Sequence, residues 1–251
     1  MPFTLVAFRK EAVGTSLSDL DAVLDGALTK AGSSAFFTPG GMRVVAAFAC
    51  CSGSLNQALL ISPTFLRGAY PEVRPLQRGP VPVDEPNVNV LVDRPLAFVS
   101  TDTLGARVAD SSVGTVTAIV LVWLESLREP VPPGETFWVR YTSATAAAVG
   151  IWTTLDIDMQ ALPEGTYVVC GMEHVCTDCV AARLVFPGAP LRPGTLGQSI
   201  LGDQTHRIFY DDSLGVWGRF PSFTPPTVEV LAQRASTDHV GFLRLLKDDA
   251  G

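Results

Sequence analysis

Gly114-Thr-Val-Thr-Ala-Ile-Val-Leu-Val-Trp-Leu-Glu125 is an unbroken apolar, β-branched run, and after a Glu129-Pro-Val-Pro-Pro-Gly134 turn comes Glu135-Thr-Phe-Trp-Val-Arg-Tyr141. The second run alternates: Phe137, Val139 and Tyr141 fall on one face, Trp138 and Arg140 on the other. That period of two is the signature of a half-buried strand. Working outward, Val149–Asp158, Thr166–Met172, Val180–Phe186 and Thr227–Leu231 read as further strands, cut by Leu162-Pro-Glu-Gly165, Pro187-Gly188 and Pro225-Pro226. Upstream, Arg43–Cys50, Gln57–Ile61 and Val88–Val92 are shorter runs of the same kind. Strands at this spacing, without helices of about 10–15 residues between them, indicate antiparallel sandwiches or barrels and not βαβ units.

One helix is expected, over residues 16–31. Ser16 or Ser18 offers an N-cap, and Asp19 and Asp21 fall in the first turn. Leu17, Leu20, Val23 (or Leu24), Ala27 and Leu28 repeat at helical spacing, and Lys30 and Gly32 close the segment. Shorter helical turns are expected at Pro63–Gly68 and at Thr237–Lys247, where Val240, Leu243 and Leu246 recur every third residue. The fold class is therefore all-β with one or two short helices, as two antiparallel β-sandwiches of jelly-roll type. The halves are residues 1–112, carrying helix 16–31, and residues 113–251. A single decorated sandwich is the alternative. The cut falls in the Pro-rich stretch at 71–86, a linker or an extended strap, or near Ser111–Gly114.

The 251 residues are 47% apolar and only 17% charged, with a formal charge of −7. The apolar fraction supports a real core and excludes wholesale disorder. Charge this sparse leaves much of a surface to be covered by partners. Three of the 18 basic residues are lysines and fifteen arginines, a bias that a G+C-rich genome produces as readily as interface burial does. The acidic balance and the absence of a basic stripe argue against direct nucleic-acid binding. The run at 115–124 is about half the roughly 20 residues of a membrane-spanning helix. The N-terminal charges follow the apolar run rather than precede it, unlike a secretory signal, so synthesis in a cytoplasm without secretion by the standard route is expected. Five cysteines, an odd number, argue against a disulfide framework.

Cys170-Gly-Met-Glu-His174-Val-Cys176-Thr-Asp-Cys179 is the best candidate for chemistry. Cys170, His174, Cys176 and Cys179 are the four soft or borderline ligands of a tetrahedral zinc site. In a single hairpin, however, Cys170 would lie roughly 10–20 Å from Cys179 unless the turn folds back tightly. Cysteines packed as small hydrophobes are the stronger reading. A Cys176–Cys179 redox pair ranks below metal, because its usual βαβ context is absent. Asp203, His206 and Asp212 form a weaker acid–base patch, and Asp156, Asp158 and Glu164 a weaker cation patch. No Gly-x-Ser-x-Gly, no HExxH and no phosphate-binding glycine loop occurs. Neither a catalytic site nor a resident cofactor is expected.

The four tryptophans, Trp123, Trp138, Trp152 and Trp217, all lie in or beside strand segments. Such rings fill sandwich cores and dominate protein interfaces, and both uses outweigh ligand stacking here. Trp138, Trp152, Trp217 and Arg219 are the candidate contact residues.

The segments Leu162-Pro-Glu-Gly-Thr-Tyr-Val-Val-Cys-Gly-Met172, Ala181-Ala-Arg-Leu-Val-Phe-Pro-Gly188, Leu191-Arg-Pro-Gly194, Ser213-Leu-Gly-Val-Trp-Gly-Arg-Phe220 and Pro225-Pro-Thr-Val-Glu-Val-Leu231 share a rhythm of strands and Pro/Gly loops. Over residues 114–231 this resembles the second sandwich of jelly-roll major capsid proteins from tailless icosahedral bacterial or archaeal viruses. No motif defines those families, so no functional residue carries over. The resemblance implies a self-assembling coat subunit, present in the virion. Its partners would be copies of itself, as a trimer or larger shell, and other virion proteins. Contact with an internal membrane would be peripheral, and Phe3–Phe8 would serve as an arm or an added strand. The alternatives are a β-sandwich module that binds carbohydrate or another ligand and, below it, a metal-dependent enzyme built on the Cys170–Cys179 segment with Asp203 and His206.

Overall fold

The computed structural model describes residues 3–63, 71–73, 76–78, 89–90, 95–98, 102–111, 116–197 and 214–248. The chain is all-β, built from curled sheets that are almost wholly antiparallel, with no α-helix among the described residues. It divides into two compact units, one of Leu5–Ser126 and one of Met1–Thr4 with Leu127–Gly251. The division lies later than the cut expected near residue 112. The run at 118–125 is zipped along Arg43–Cys51, which places it in the first unit.

In the Leu5–Ser126 unit, β1 (Phe3–Lys10, whose first two residues belong to the other unit), β3 (Asp21–Ala22), β5 (Arg43–Cys51) and β11 (Ala118–Glu125) lie in the order β3-β1-β11-β5. On the free side of β5, β7 (Leu76–Arg78) pairs parallel, and β8 (Asn89–Val90) and β9 (Leu96–Ala97) pair antiparallel. The second sheet centres on β10 (Thr103–Asp110). It carries β2 (Ser18–Asp19) and β4 (Ala35–Phe37) along one edge and β6 (Leu55–Ile61) along the other. All eight residues of β11 are buried, which explains why its sequence does not alternate: a central strand covered on both faces has no polar side. Phe8 and Phe36 meet edge-to-face at 5.4 Å inside this unit. Glu125, the one charge in β11, accepts two hydrogen bonds from Arg43 across the ladder, at 2.9 and 3.1 Å.

The expected helix at 16–31 is absent. Leu20 N–H donates to Ala106 O, Ala22 N–H to Ser33 O and Val23 N–H to Ala7 O, so neighbouring strands take the donors a helix would use. Asp25 Oδ1 accepts from the amides of Ala27 and Leu28, closing a turn, and Gly26 follows with φ of 72°. Ser and Asp compete for backbone groups through their side chains, Val loses rotamer freedom in a helix and Gly costs backbone entropy, so all four are weak helix formers and sheet pairing wins. Leu17 and Leu24, placed on the presumed apolar face, are exposed. Phe3–Phe8 is likewise no free arm, because β1 is buried in the chain's own sheet. The helical turn expected at Pro63–Gly68 lies outside the described residues, Pro63 excepted.

In the unit of Leu127–Gly251, one sheet runs β14-β12-β20-β15-β18 and the other β13-β19-β16-β17. The strands are β12 (Thr136–Ser143), β13 (Trp152–Leu155), β14 (Asp158–Met159), β15 (Thr166–Val175), β16 (Cys179–Val185), β17 (Gly194–Leu196), β18 (Gly218–Pro221), β19 (Thr227–Ala232) and β20 (His239–Asp248). The strand expected at Val149–Asp158 is divided at Asp156–Ile157, where the chain passes from one sheet to the other. The helical turn expected at Thr237–Lys247 is β20, a central strand between β12 and β15. His239, Gly241, Leu243 and Leu245 point inward at period two, and Leu243 fits the spacing-of-three pattern only by coincidence. The core gathers Trp217, Tyr167 and Phe220, with Phe3 edge-on to Trp217 at 5.1 Å.

Candidate metal centre

The ten-residue segment at 170–179 does not form one hairpin. β15 pairs with β20 and β16 with β19, so the turn at Cys176-Thr-Asp-Cys179 carries the chain from one sheet to the other. The end of β15, the start of β16 and the start of β20 meet at this turn. Their ligating atoms, from His174, Cys176, Cys179 and His239, all lie within 4.8 Å of one another, and all four residues are buried.

Cys170 is not part of this group. It sits four residues before His174 on β15, about 13 Å along an extended strand. It occupies an irregularity in the β15–β20 ladder, where its buried thiol donates to Arg244 O at 3.4 Å. His239 takes its place. That residue is 65 positions from His174, and nothing in local spacing points to it. The signal that would have found it is the strand alternation of His239, Gly241 and Leu243, which a spacing-of-three reading hides.

The hydrogen bonds assign the imidazole tautomers. His239 Nε2 lies 3.1 Å from Thr145 O and 3.2 Å from Ser236 O. Carbonyls only accept, so Nε2 carries the hydrogen and the Nδ1 lone pair faces inward. That Nδ1 is 3.3 Å from His174 Nε2 and 3.7 Å from Cys179 Sγ. The opposite nitrogen of His174, Nδ1, is 2.8 Å from Tyr141 Oη. Burial, reinforced by the neighbouring His239, pushes the His174 pKa down to about 3. Burial also lowers that of His239, against its carbonyl partners and Asp238. Both rings are therefore neutral near pH 7, each with one lone pair to give.

Cys176 and Cys179 are joined as a disulfide, with Cα atoms 5.6 Å apart. The pairing ranked below metal on sequence grounds is thus the one in the structure. Ser236 Oγ lies 3.6 Å from Cys176 Sγ. Asp238 accepts from the Thr177 amide and hydroxyl, fixing the turn; burial works against its charge, but these bonds hold its carboxyl below the usual range.

Gly241 makes the Tyr141–His174 contact possible. On β20 it is the register partner of Tyr141 on one side and of His174 on the other. With no side chain between them, the Tyr141 ring lies across Gly241, and a Cβ there would overlap the phenol. Gly241→Ala is therefore expected to displace Tyr141 and cost about 1–3 kcal/mol by overpacking, measured by denaturant unfolding. Tyr141→Phe should cost about 1 kcal/mol, since it removes the bond and keeps the ring. A Gly241→Ala cost below about 0.5 kcal/mol would mean that the phenol does not press on Gly241.

The other candidates scatter. Trp217 is fully buried, so it belongs to the core and not to a contact surface. Trp152 is half-buried, with the Arg183 guanidinium 3.9 Å above its ring. Trp138 is 43% exposed. Arg219 is half-exposed, paired bidentately with Glu129 and, at 3.6 Å, with Asp248. Asp156 and Asp158 border a shallow surface cleft with Thr142 and Ser143, and Glu164 does not line it. Asp203, His206 and Asp212 lie outside the described residues. In comparisons with known proteins, the sequence matches no protein-family model and no curated protein.

Proposed function

We propose that the protein is a self-assembling shell subunit with two jelly-roll β-sandwiches, the coat protein of a tailless icosahedral virus of bacteria or archaea. The observation that carries this reading is the order of strands. Among the described residues, and leaving aside the two-residue β14, eight strands of the second unit run 1-8-3-6 in one sheet and 2-7-4-5 in the other. A pair of Greek keys wound into a jelly roll has this order. The first unit follows the same scheme in its main strands, β1-β11-β5 in one sheet and β4-β10-β6 in the other. Two units of one topology in tandem agree with a subunit whose work is to tile a surface.

The exposed apolar residues support the same reading. Phe223 is 83% exposed, Leu127 78%, Leu24 72% and Ile151 54%, on a chain poor in charge. Exposed apolar side chains fit the apolar centres of subunit contacts. Of the four tryptophans only Trp138 stands well exposed, so they do not form the stacking platform that carbohydrate binding requires. Among the described residues no helix is long and apolar enough to cross a membrane.

Light scattering and negative-stain imaging of the purified full chain test the proposal. A trimer or a closed particle is expected, and a monomer at every concentration overturns it. Trp138→Ser is expected to reduce the assembled fraction while leaving the unfolding midpoint nearly unchanged, because exposed positions contribute within about ±0.5 kcal/mol.

A further inference from the structure

We propose that His174, Cys176, Cys179 and His239 form a binding site for one zinc ion in the reduced protein, clamping the two sheets of the second unit together at one end. This assignment is independent of the shell reading.

The argument starts from the donor set. Two thiolates and two neutral imidazoles are a structural zinc inventory, and Cys176 and Cys179 have the two-residue spacing common at such turns. The geometry is already that of a coordination sphere on its nitrogen side. A tetrahedral ion with Zn–N bonds of about 2.0–2.1 Å separates its two nitrogens by roughly 3.3 Å. His174 Nε2 and His239 Nδ1 are 3.3 Å apart. For a nitrogen and a sulfur on the same ion the separation is about 3.6 Å, and His239 Nδ1 lies 3.7 Å from Cys179 Sγ.

The surroundings hold the ligands from behind, as the outer partners of zinc-bound histidines do. Two carbonyls, of Thr145 and Ser236, fix the His239 hydrogen on the outward nitrogen. Tyr141 Oη occupies the outward nitrogen of His174 and can accept its N–H, which leaves the inward lone pair for a metal. Every outward polar atom of the two rings is thereby satisfied, and the inward ones converge.

Only the sulfurs must move. In the disulfide they are bonded to each other, and around zinc they would separate to about 3.8 Å. The Thr177–Asp178 turn between them carries that change. A dithiol reductant supplies two electrons and two protons, the S–S bond becomes two thiols, and the reductant leaves as its own disulfide. Zinc then displaces both thiol protons to solvent, and the His174 hydrogen passes from Nε2 to Nδ1 as the Tyr141 hydroxyl turns from donor to acceptor. The oxidised turn closes the same junction by a covalent bond, with His174 Nε2–H donating to His239 Nδ1. One location therefore accepts either staple, according to redox conditions.

The test uses the full chain, reduced anaerobically with a dithiol, freed of reductant and mixed with zinc chloride or cobalt(II) chloride alone. About one zinc per chain should survive gel filtration. Cobalt should show the strong visible bands of a tetrahedral site together with thiolate charge transfer. Cys179→Ser and His239→Ala should abolish stoichiometric binding, and Cys170→Ser should leave it intact. Tyr141→Phe should weaken affinity roughly 10–100-fold, as loss of an outer partner does. The disulfide form should bind no zinc stoichiometrically. Substoichiometric zinc on folded, reduced wild-type protein overturns the assignment. So does a cobalt spectrum without thiolate charge transfer, or equal zinc binding by the oxidised form. If the cysteine and histidine variants fail to fold, the wild-type cobalt spectrum decides alone.

Discussion

Trp217→Ala is expected to lower the stability of the second unit by about 3–5 kcal/mol, the range for deleting a large buried aromatic. Trp217 is fully buried and takes the edge of Phe3 at 5.1 Å, so alanine leaves a cavity beneath β18 that a close-packed sheet cannot collapse to fill. For a unit of this size the midpoint of thermal unfolding should fall by roughly 10–20 °C. Any assembly defect should follow that loss rather than precede it. Calorimetry beside light scattering separates the two: reduced assembly with an unchanged midpoint would place the ring at a contact after all. Trp138→Ser is the complement, with a small stability effect and a large one on assembly.

The second large effect is expected at Glu229. Its carboxylate receives Arg183 at 2.7 Å and Arg192 at 2.8 Å, and the Arg183 side chain has no solvent exposure. Glu229→Gln removes a negative charge that two guanidiniums share. The loss should reach about 3–5 kcal/mol, because it breaks a buried ion pair whose guanidinium has already left water. Arg183 also stacks on Trp152, which prevents it from swinging out to water without losing that contact. A double variant, Arg183→Met with Glu229→Gln, should be less destabilised than the sum of its parts, the mark of a coupled pair. By contrast Arg219→Ala, which breaks a half-exposed pair with Glu129, should cost no more than about 1 kcal/mol. Denaturant unfolding of the four variants checks the set, and a Glu229→Gln loss near that of Arg219→Ala would mean the cluster is hydrated.

Strand content was legible because it is local. The run at 118–125 and the alternation at 136–141 record which faces meet a core: the structure buries all of the first run and, in the second, Val139 and Tyr141, while Phe137 near the strand's start is left exposed. Asp156–Ile157 shows the limit of such reading. The stretch around it has strand character throughout, but the point where it changes sheets depends on which neighbours stand alongside, and no residue there encodes that by itself.

The errors share a cause. At 16–31 and at 237–247 apolar residues recur every three or four positions, which is the pattern of a helix but also falls out of short strands joined by turns. The deciding quantity is where the backbone donors go: Ala106, Ser33 and Ala7 supply the acceptors for the first segment, and β12 and β15 flank the second. Every one of those partners lies beyond the four-residue reach of a helical bond: Ser33 is 11 residues from Ala22, and Ala106 is 86 residues from Leu20.

By itself the sequence determined an all-β chain with turns at its Pro/Gly clusters, a core rich in aromatics, and a Cys-x-x-Cys turn beside a histidine. It did so because burial and turn chemistry act over a few neighbouring residues. Only the tertiary structure decided that Cys170 stands apart while His239 joins the cluster, that Trp217 is core, and which strands share a sheet. Those outcomes depend on register between distant strands, and register is settled by the whole set of cross-strand contacts at once.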